Sequence, residues 1–372
     1  MALDFGFTDE HDELRATVRA FLEDKSDEVA VREHMASERG FDPALWARMA
    51  EKIGLAGLIV PEEYGGAGMG FVEVLVVMEE MGRALACAPF LSTGVFAPTL
   101  LQHCADEAAR KELLAGIAAG RTRVAVAHAE PNGRWDAAGI TLAAEGSDAD
   151  LTLTGTKTYV LDGHTADVLL VVARDGDGLG VFRVDAGARG LTRTALPELD
   201  LTRKLARVDF AKTPATRVHP GDQTAAFERV LALVAAALAA EQVGGAQKCL
   251  DMAVEYAKTR LQFGRPIGSY QGIKHKCADM LVAVEFAKSA AYNACFAAAE
   301  GDADLVENAS MAKAYCSEAY FHAAADNIQI HGGMGFTWEH PAHLYFKRAK
   351  ASELLFGDAP YHREIVAREV GI

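Results

Sequence analysis

The hydrophobic pattern of this chain changes its period twice, and this change constrains the fold more than any other feature. Before residue 122 and after residue 223 apolar side chains recur at helical spacing, as in Leu14, Val18 and Leu22. Between these limits the chain contains short strand-like runs separated by Gly, Asp and Pro. The pattern predicts three consecutive domains: helical residues 1–121, a small β domain at 122–223 and helical residues 224–372.

Several helix limits can be predicted from local residues. Thr8 or Asp9 can cap the first helix, and Asp42 followed by Pro43 predicts a helix start. Residues 230–240 are the longest apolar run, too short to span a bilayer, and predict a buried helix. The glycine-rich residues 65–70 are not followed by the Lys-Ser or Lys-Thr of a phosphate loop, so they predict a connection between helices.

Length, net charge and cysteine content limit the kinds of molecule that this chain can bind and the compartment in which it can work. The chain has 372 residues, enough for two or three domains with a large core. Its formal net charge of -15 argues against nucleic acid or an anionic membrane as a partner. Six dispersed cysteines without a Cys-x-x-Cys pair predict buried free thiols. Residues 1–12 lack the pattern of a secretory signal, so we expect a cytoplasmic protein without membrane insertion.

Residues 260–271 interrupt two long helical patterns with an arginine, an aromatic side chain and a Gly-Pro turn at residues 264–268. At such a corner the forked donors of Arg260 suit a phosphate, and a glutamine amide suits a sugar. From these residues alone, the alternative is an arginine that caps a helix C-terminus against its dipole.

A resemblance extends this interpretation. Residues 260–271 resemble the helix-turn-helix motif of the acyl-CoA dehydrogenase family, and residues 329–336 resemble its second C-terminal flavin-contact motif. The two motifs lie about 70 residues apart, as in the family. The resemblance implies an α+β fold with an N-terminal helical domain, a β-barrel-like middle domain and a C-terminal four-helix bundle. It also implies FAD, an acyl-CoA substrate, an electron-transfer acceptor, and a homo- or heterotetramer.

The resemblance further implies that one group of residues holds the diphosphate and adenosine end of FAD, largely from a neighbouring subunit. Glycines would let backbone N–H groups approach anionic oxygen closely. One subunit alone would then hold only half a cofactor, so oligomerisation would be part of the function. The matching positions are Arg260, Gln262, Phe263, Gln271, Gln329, Gly332 and Gly333.

The β domain carries two segments that resemble the family's flavin wall. In the first, Glu130 matches the glutamate of a Thr-Glu-Pro sequence, while Trp135 stands where substrate usually passes. In the second, Tyr159 replaces a tryptophan, Val160 follows it, and Leu161 replaces a threonine hydroxyl near the flavin. Taken without the resemblance, these segments would be an ordinary β turn and a core strand.

The catalytic base is the weakest point of the resemblance. The family's reaction needs a shielded carboxylate close to the flavin, which removes an α-proton while a hydride goes to the ring. The usual glutamate aligns with Phe356, and the base of the isovaleryl and long-chain branches aligns with Val234. We therefore predict Glu241, seven residues after Val234, as a candidate base; the alternative is a structural glutamate at a helix or subunit contact.

Other polar residues near these positions have simpler interpretations. Asp358 is a second candidate base, although it stands where a helix N-cap is expected. His340 and His343 lack partners at ligand spacing, so no metal is predicted.

The sequence leads to three hypotheses for the function. The first is an FAD-dependent acyl-CoA dehydrogenase, resembling actinobacterial members that act on sterol side-chain thioesters. The second is a non-catalytic partner subunit that completes the FAD site of a heteromeric enzyme. The third is a flavin oxidase or oxygenase with the same fold.

Overall fold

The computed structural model describes residues 6–147, 150–176 and 178–372, so the first five residues of the segment examined for a secretory signal lie outside it. In chain order the α-helices are α1 Asp9–Lys25, α2 Glu28–Ala36, α3 Pro43–Ile53, α4 Phe71–Arg83, α5 Ala97–Cys104, α6 Glu107–Ala118, α7 Thr224–Thr259, α8 Gln271–Glu300, α9 Leu305–His331, α10 Ala342–Leu354 and α11 Ala359–Glu369. The strands are β1 Val124–Ala127, β2 Ala143–Glu145, β3 Thr152–Leu161, β4 Val168–Asp175, β5 Gly178–Asp185, β6 Leu191–Ala195, β7 Leu205–Pro214, β8 Thr216–Arg217, β9 Leu261–Gln262 and β10 Arg265–Pro266.

The chain divides into two compact units. The bundle unit comprises Met1–Arg32, Phe71–Ala86 and Ala235–Ile372, and the sheet unit comprises Glu33–Gly70 and Cys87–Val234. Helices α1 and α4 belong to the bundle unit, whereas α3, α5 and α6 belong to the sheet unit. The domain boundaries at residues 121 and 223 stay predictions.

An eight-stranded sheet forms the centre of the sheet unit. Its order is β6-β7-β3-β2-β4-β5-β8, and β1 pairs in parallel with β4. Side chains such as Leu153, Leu169 and Phe182 are fully buried, as expected for strands that fill a common core. The predicted sheet region between helices is therefore confirmed. The pattern did not predict β2 and β6, because β2 has three residues and β6 is mostly exposed and polar.

Helix α7 supplies much of the bundle unit's core. It is long and apolar enough to cross a membrane, but 89% of its most apolar window is buried, as in the core helix of a globular protein. The burial of residues 230–240 confirms the predicted buried helix. In the same unit, α9 packs against α8, α10 and α11, and α4 packs against α1 and α8.

Two glycines let α4 and α7 cross at very short range. A Cβ added at Gly82 would lie 2.0 Å from the carbonyl oxygen of Glu241, and one added at Gly244 would lie 1.8 Å from that of Glu79. These distances leave no room for a side chain on either residue. The reciprocal contact fixes Glu241 at the crossing point of two helices.

The predicted helix starts are confirmed. Thr8 caps α1, its hydroxyl accepting the amide of His11. Asp42 caps α3 with Pro43 in the first turn, its carboxylate accepting the amide of Ala44.

Candidate cofactor site and base positions

The corner between α7 and α8 is a small β-hairpin. Strand β9 pairs with β10 in antiparallel register, with Arg265 opposite Gln262. The turn residues Phe263 and Gly264 have φ values of 52° and 79°, which is the left-handed pair that a two-residue turn between strands needs. The turn therefore lies at Phe263–Gly264, whereas the sequence predicted a Gly-Pro turn over residues 264–268.

The hairpin holds its shape through its own contacts and leaves its outer side chains free. Tyr270 donates a 3.0 Å hydrogen bond to the carbonyl of Gln262, and the guanidinium of Arg265 lies 4.1 Å from the Tyr270 ring centre. Phe263 at the tip is 94% exposed. The side chains of Arg260 and Gln271 are exposed and have no hydrogen-bond or ion-pair partner within residues 6–147, 150–176 and 178–372. Unpaired donors at a preformed corner suit an anionic ligand.

The second predicted motif lies at the end of α9. Gln329, Gly332 and Gly333 are exposed, and a Cβ built on either glycine would meet nothing within 4 Å. Gly332 has a φ of 63°, a conformation that favours glycine. This open backbone can accept a close-lying ligand.

An aromatic stack brings the two C-terminal motifs together. The ring of Tyr256, in the last turn of α7, stacks on His331 at 4.3 Å. Tyr256 precedes Arg260 by one helical turn, and His331 follows Gln329 by two residues. Both predicted motifs therefore lie at the same end of the bundle unit.

Large apolar side chains are exposed in and next to these motifs. Exposed aromatic and aliphatic side chains at a shared surface are typical of contact with a partner or ligand. The large exposed side chains here include Leu261, Phe263, Met334, Phe336 and Trp338.

In the sheet unit, protein donors engage the carboxylate of Glu130, and its predicted contact with a cofactor stays a prediction. One carboxylate oxygen accepts bonds from Lys157 at 2.7 Å and Leu142 at 2.8 Å, and the other accepts the hydroxyl of Thr141 at 2.5 Å. Burial alone would raise the pKa of Glu130, but the bond and charge of Lys157 outweigh it and the pKa is lowered. Burial lowers the pKa of Lys157 to about 8. Because both oxygens are used by protein donors, Glu130 orders its loop.

Tyr159 is presented by a β-bulge. Pairing of β3 with β7 shifts register between Lys157 and Val160, and Tyr159 has a φ of 52°. Bulges next to a site commonly redirect one side chain. Tyr159 is 45% exposed and lies 6.0 Å from the Trp135 ring, whereas Val160 and Leu161 are buried. Only the backbone of Val160 and Leu161 can therefore face a ligand.

His128 is a buried residue that the sequence predictions did not include. Its ring lies 5.6–5.7 Å from the rings of Phe96, Trp135 and Phe227. Burial, together with the charge of Lys157, lowers the pKa of His128 to about 3. This histidine is therefore neutral at physiological pH. It packs against Trp135, which in turn lies next to Tyr159 in the bulge. Its position between two alanines after β1 gave no sequence signal for this role.

Both positions that the resemblance assigns to a base are apolar and buried. Val234 and Ala235 lie in the buried face of α7. Phe356 lies in the turn between α10 and α11, is 4% exposed and has a φ of 61°.

A buried lysine holds the Phe356 turn. Lys313 on α9 is fully buried and donates to the carbonyls of Glu353 at 3.0 Å and Gly357 at 2.9 Å. His362 on α11 bonds the carbonyl of Phe356 at 3.1 Å. The backbone at Phe356 is thus fixed by Lys313 and His362.

Glu241 forms a closed ion pair. Its carboxylate lies 3.0 Å from the guanidinium of Arg348 on α10, and the two side chains are 4% and 3% exposed. Because a buried guanidinium engages this carboxylate, it is not free to contact a substrate carbon. The structure favours the structural alternative for Glu241, and its role as a base stays a prediction without support from this geometry.

The second candidate base and the histidines considered as metal ligands make other contacts in the structure. Asp358 caps α11, accepting the amide of Tyr361 at 3.0 Å. Within residues 6–147, 150–176 and 178–372 there is no group of His, Cys, Asp or Glu side chains that could hold a metal ion, and His340 instead packs on His331 at 4.3 Å.

Comparison with known proteins decides the family. The family description "Acyl-CoA dehydrogenase, N-terminal domain" matches residues 8–121, the middle domain matches residues 125–207 and the C-terminal domain matches residues 224–371. The chain belongs to the acyl-CoA dehydrogenase family. The acyl-CoA dehydrogenase IpdE2 of Mycobacterium tuberculosis (strain ATCC 25618 / H37Rv) is 37% identical over 97% of this chain and 96% of its own length.

Solved acyl-CoA dehydrogenase structures share the whole fold. A variant of the Tcur3481-Tcur3483 steroid ACAD is 31% identical, with a TM-score of 0.89 and 97% of each chain covered. The ChsE4-ChsE5 complex from Mycobacterium tuberculosis is 29% identical, with a TM-score of 0.90, covering 99% of this chain and 98% of that one. The likeness extends over all three family domains, which agrees with the acyl-CoA dehydrogenase fold predicted from the sequence.

Proposed function

We propose that this acyl-CoA dehydrogenase binds FAD with the two C-terminal motifs of one protomer and the sheet unit of another chain. Arg260, Gln329 and the open glycines fit the diphosphate and adenosine end, because their donors are exposed and unpaired within the described residues. Tyr159 and the backbone of Leu161 fit the ring. When bound, FAD supplies the hydride acceptor for dehydrogenation.

The chain is the subunit without a base in a heteromeric acyl-CoA dehydrogenase. One observation carries this assignment: Val234 and Phe356 occupy both base positions of the family, while the nearby Glu241 is paired with buried Arg348. Proton removal then requires a carboxylate from another chain. This is the second of the functions expected from the sequence, and the geometry at Glu241 favours it over the first.

The compared proteins support the assembly and suggest a substrate class. The ChsE4-ChsE5 complex and the Tcur3481-Tcur3483 steroid ACAD are each named for two components. The substrate of this enzyme is accordingly a CoA thioester with a bulky acyl group of the sterol type, dehydrogenated at the α and β carbons, and an electron-transfer acceptor would take up the electrons.

Co-expression tests this assignment. The chain is purified alone and together with the related subunit encoded next to it, and flavin absorbance and CoA-thioester oxidation with an artificial electron acceptor are measured. We expect the single chain to be inert and the pair to hold flavin and turn over. Turnover by the single chain, lost in Glu241→Gln with flavin retained, would instead restore Glu241 as the base. Stoichiometric hydrogen peroxide without an added acceptor would identify a flavin oxidase.

A further inference from the structure

A cavity in the bundle unit is lined by residues outside the two C-terminal motifs. Its volume is about 310 Å³, at the lower end of the range for sites that bind small organic molecules. The end of α1, the start of α2, the end of α4, the middle of α7 and the start of α10 surround it. The proposed flavin site does not use any of the residues that line it.

Two polar groups in this cavity have no protein partner within residues 6–147, 150–176 and 178–372. Ser26 is 5% exposed, and its buried hydroxyl makes no hydrogen bond. The ammonium group of Lys248, on α7, has neither an ion-pair nor a hydrogen-bond partner. A buried hydroxyl left unsatisfied costs stability unless another group binds it, so it marks a place for a hydrogen-bonding ligand.

Most acidic groups around the cavity are engaged by the protein, and Glu23, which also lines it, is exposed to solvent. Glu80 accepts two bonds from Arg19, at 2.9 and 2.7 Å. Glu28 pairs with Arg32 at 2.7 Å. The side chain of Asp27 caps α2. Within the described residues, the groups without a protein partner are therefore the solvent-exposed Glu23, the ammonium group of Lys248 and the hydroxyl of Ser26, and the last two together suit an anion.

The remaining wall is apolar. Leu22 is 1% exposed, and Val31 and Leu344 are each 3% exposed. Met252, one helical turn after Lys248, adds a flexible side chain that adapts to irregular ligands. An anion that fills this cavity must therefore carry an apolar tail.

We propose that this cavity binds a small aliphatic monocarboxylate. The carboxylate lies on the ammonium group of Lys248 and the hydroxyl of Ser26, and the alkyl chain lies against Leu22, Val31 and Leu344. The ligand connects α1 and α2 to α7 and α10. This proposal is independent of the proposed dehydrogenase role, because it uses neither a flavin nor a base.

Titration calorimetry with hexanoate tests the site on the purified full chain, alone or in complex with its partner subunit. We expect saturable binding of hexanoate. The uncharged 1-hexanol and the cationic hexylamine should bind at least about tenfold more weakly, because each lacks the charge-assisted bond to Lys248. Inorganic phosphate, which lacks a tail, should not compete.

Variants locate the binding. Lys248→Met should weaken hexanoate about tenfold or more, and Ser26→Ala should weaken it less, since the hydroxyl is neutral. Lys111→Met is the matched control, because Lys111 is an exposed lysine on α6 of the sheet unit, and it should bind as the unaltered chain does. If Lys248→Met does not fold, Ser26→Ala and the ligand series still test the site.

Three results would overturn the proposal. One is equal hexanoate affinity in Lys248→Met, Ser26→Ala and the unaltered chain. Another is binding of hexanol, hexylamine or phosphate at least as tight as that of hexanoate. The third is an absence of saturable binding by butyrate, hexanoate and octanoate at concentrations up to about 10 mM.

Discussion

A buried carboxylate can have two different roles, and its nearest partner distinguishes them. A base needs an environment that lets it bind a proton, whereas an ion pair stabilises the ionised form. Glu241 has a guanidinium at 3.0 Å, and both side chains are almost completely buried. At this position the pair joins α7 to α10.

We expect Glu241→Gln to lower the free energy of unfolding by about 3 kcal/mol, because Arg348 would remain buried without its counter-charge. Chemical denaturation measures this loss. The double variant Glu241→Gln with Arg348→Met should recover part of it, since it removes the unpaired charge. A Glu241→Gln protein that is as stable as the unaltered one but inactive would contradict the structural role.

At Arg260 the expected effect is on the ligand and not on the fold. Arg260→Met should leave the unfolding free energy within about 0.5 kcal/mol, because the side chain is exposed. Flavin content of the assembled enzyme should fall about tenfold, as one charge-assisted contact to the diphosphate is lost. The ratio of flavin to protein absorbance measures this.

Arg363→Met is the control for Arg260, because Arg363 is a surface arginine on α11 that pairs with Glu318 on α9. It should keep the full flavin content. Equal flavin content in both variants would remove Arg260 from the cofactor site.

At the scale of secondary-structure elements, the crossing of α4 and α7 leaves no room for an added side chain. Gly82 and Gly244 each face a backbone carbonyl of the other helix, so the two helices approach without intervening side chains. A side chain added at either glycine would meet a backbone oxygen of the other helix. That oxygen cannot move aside as the end of a flexible side chain can.

Gly244→Ala should therefore destabilise the protein by about 3 kcal/mol, since its Cβ would lie 1.8 Å from the carbonyl oxygen of Glu79. Gly272→Ala is the matched control in α8, where an added Cβ meets nothing within 4 Å. It should raise the unfolding free energy by up to about 1 kcal/mol through better helix propensity. Thermal or urea unfolding of both variants separates the outcomes, and equal effects would contradict the close crossing.

The turn after α10 depends on one buried lysine. Lys313→Met removes the donors to the carbonyls of Glu353 and Gly357, and should cost about 3 kcal/mol of unfolding free energy. Lys350→Met is the control, because Lys350 makes a partly exposed ion pair with the carboxylate of the same Glu353. Its effect should stay within about 0.5 kcal/mol. A small effect of Lys313→Met in urea unfolding would show that the turn is held by other contacts.

Sequence reasoning was accurate where the determining contacts are local. The caps by Thr8, Asp42 and Asp358 involve residues two or three positions away, and all three agree with the structure. The burial of α7 could be predicted from its continuous apolar run. The same run indicated that Glu241 is buried.

Contacts between distant residues could not be predicted. Arg348 lies 107 residues after Glu241, and nothing in the sequence around Glu241 specifies that partner. Lys157 lies 27 residues after Glu130, and nothing in the sequence around Glu130 specifies their hydrogen bond. The hairpin turn at Phe263 was also missed, because a positive φ at an aromatic residue is rare.

At the scale of the whole molecule, both units contain a histidine that burial keeps neutral. Burial lowers the pKa to about 3 for His128 in the sheet unit and for His362 in the bundle unit. Below the usual pKa of histidine, the unfolded chain binds protons that the folded chain does not, so stability falls as the pH decreases from about 6.5 toward 3.

Lowering the pH from 7 to 5 should therefore cost about 2 kcal/mol for each of these histidines. Urea unfolding at the two pH values measures the total. His128→Gln should reduce the loss between pH 7 and pH 5 by about this amount. His322→Gln, at an exposed histidine on α9, should leave it unchanged. An identical pH dependence in the two variants would show that His128 is not kept neutral.

The 94% exposure of Phe263 has a consequence for handling the enzyme. Since the residues that fit the dinucleotide point away from the chain that carries them, flavin retention should follow mass action between chains. A diluted preparation is then expected to release FAD as its subunits separate, and concentrating it with added FAD should restore the amount of flavin bound per protein.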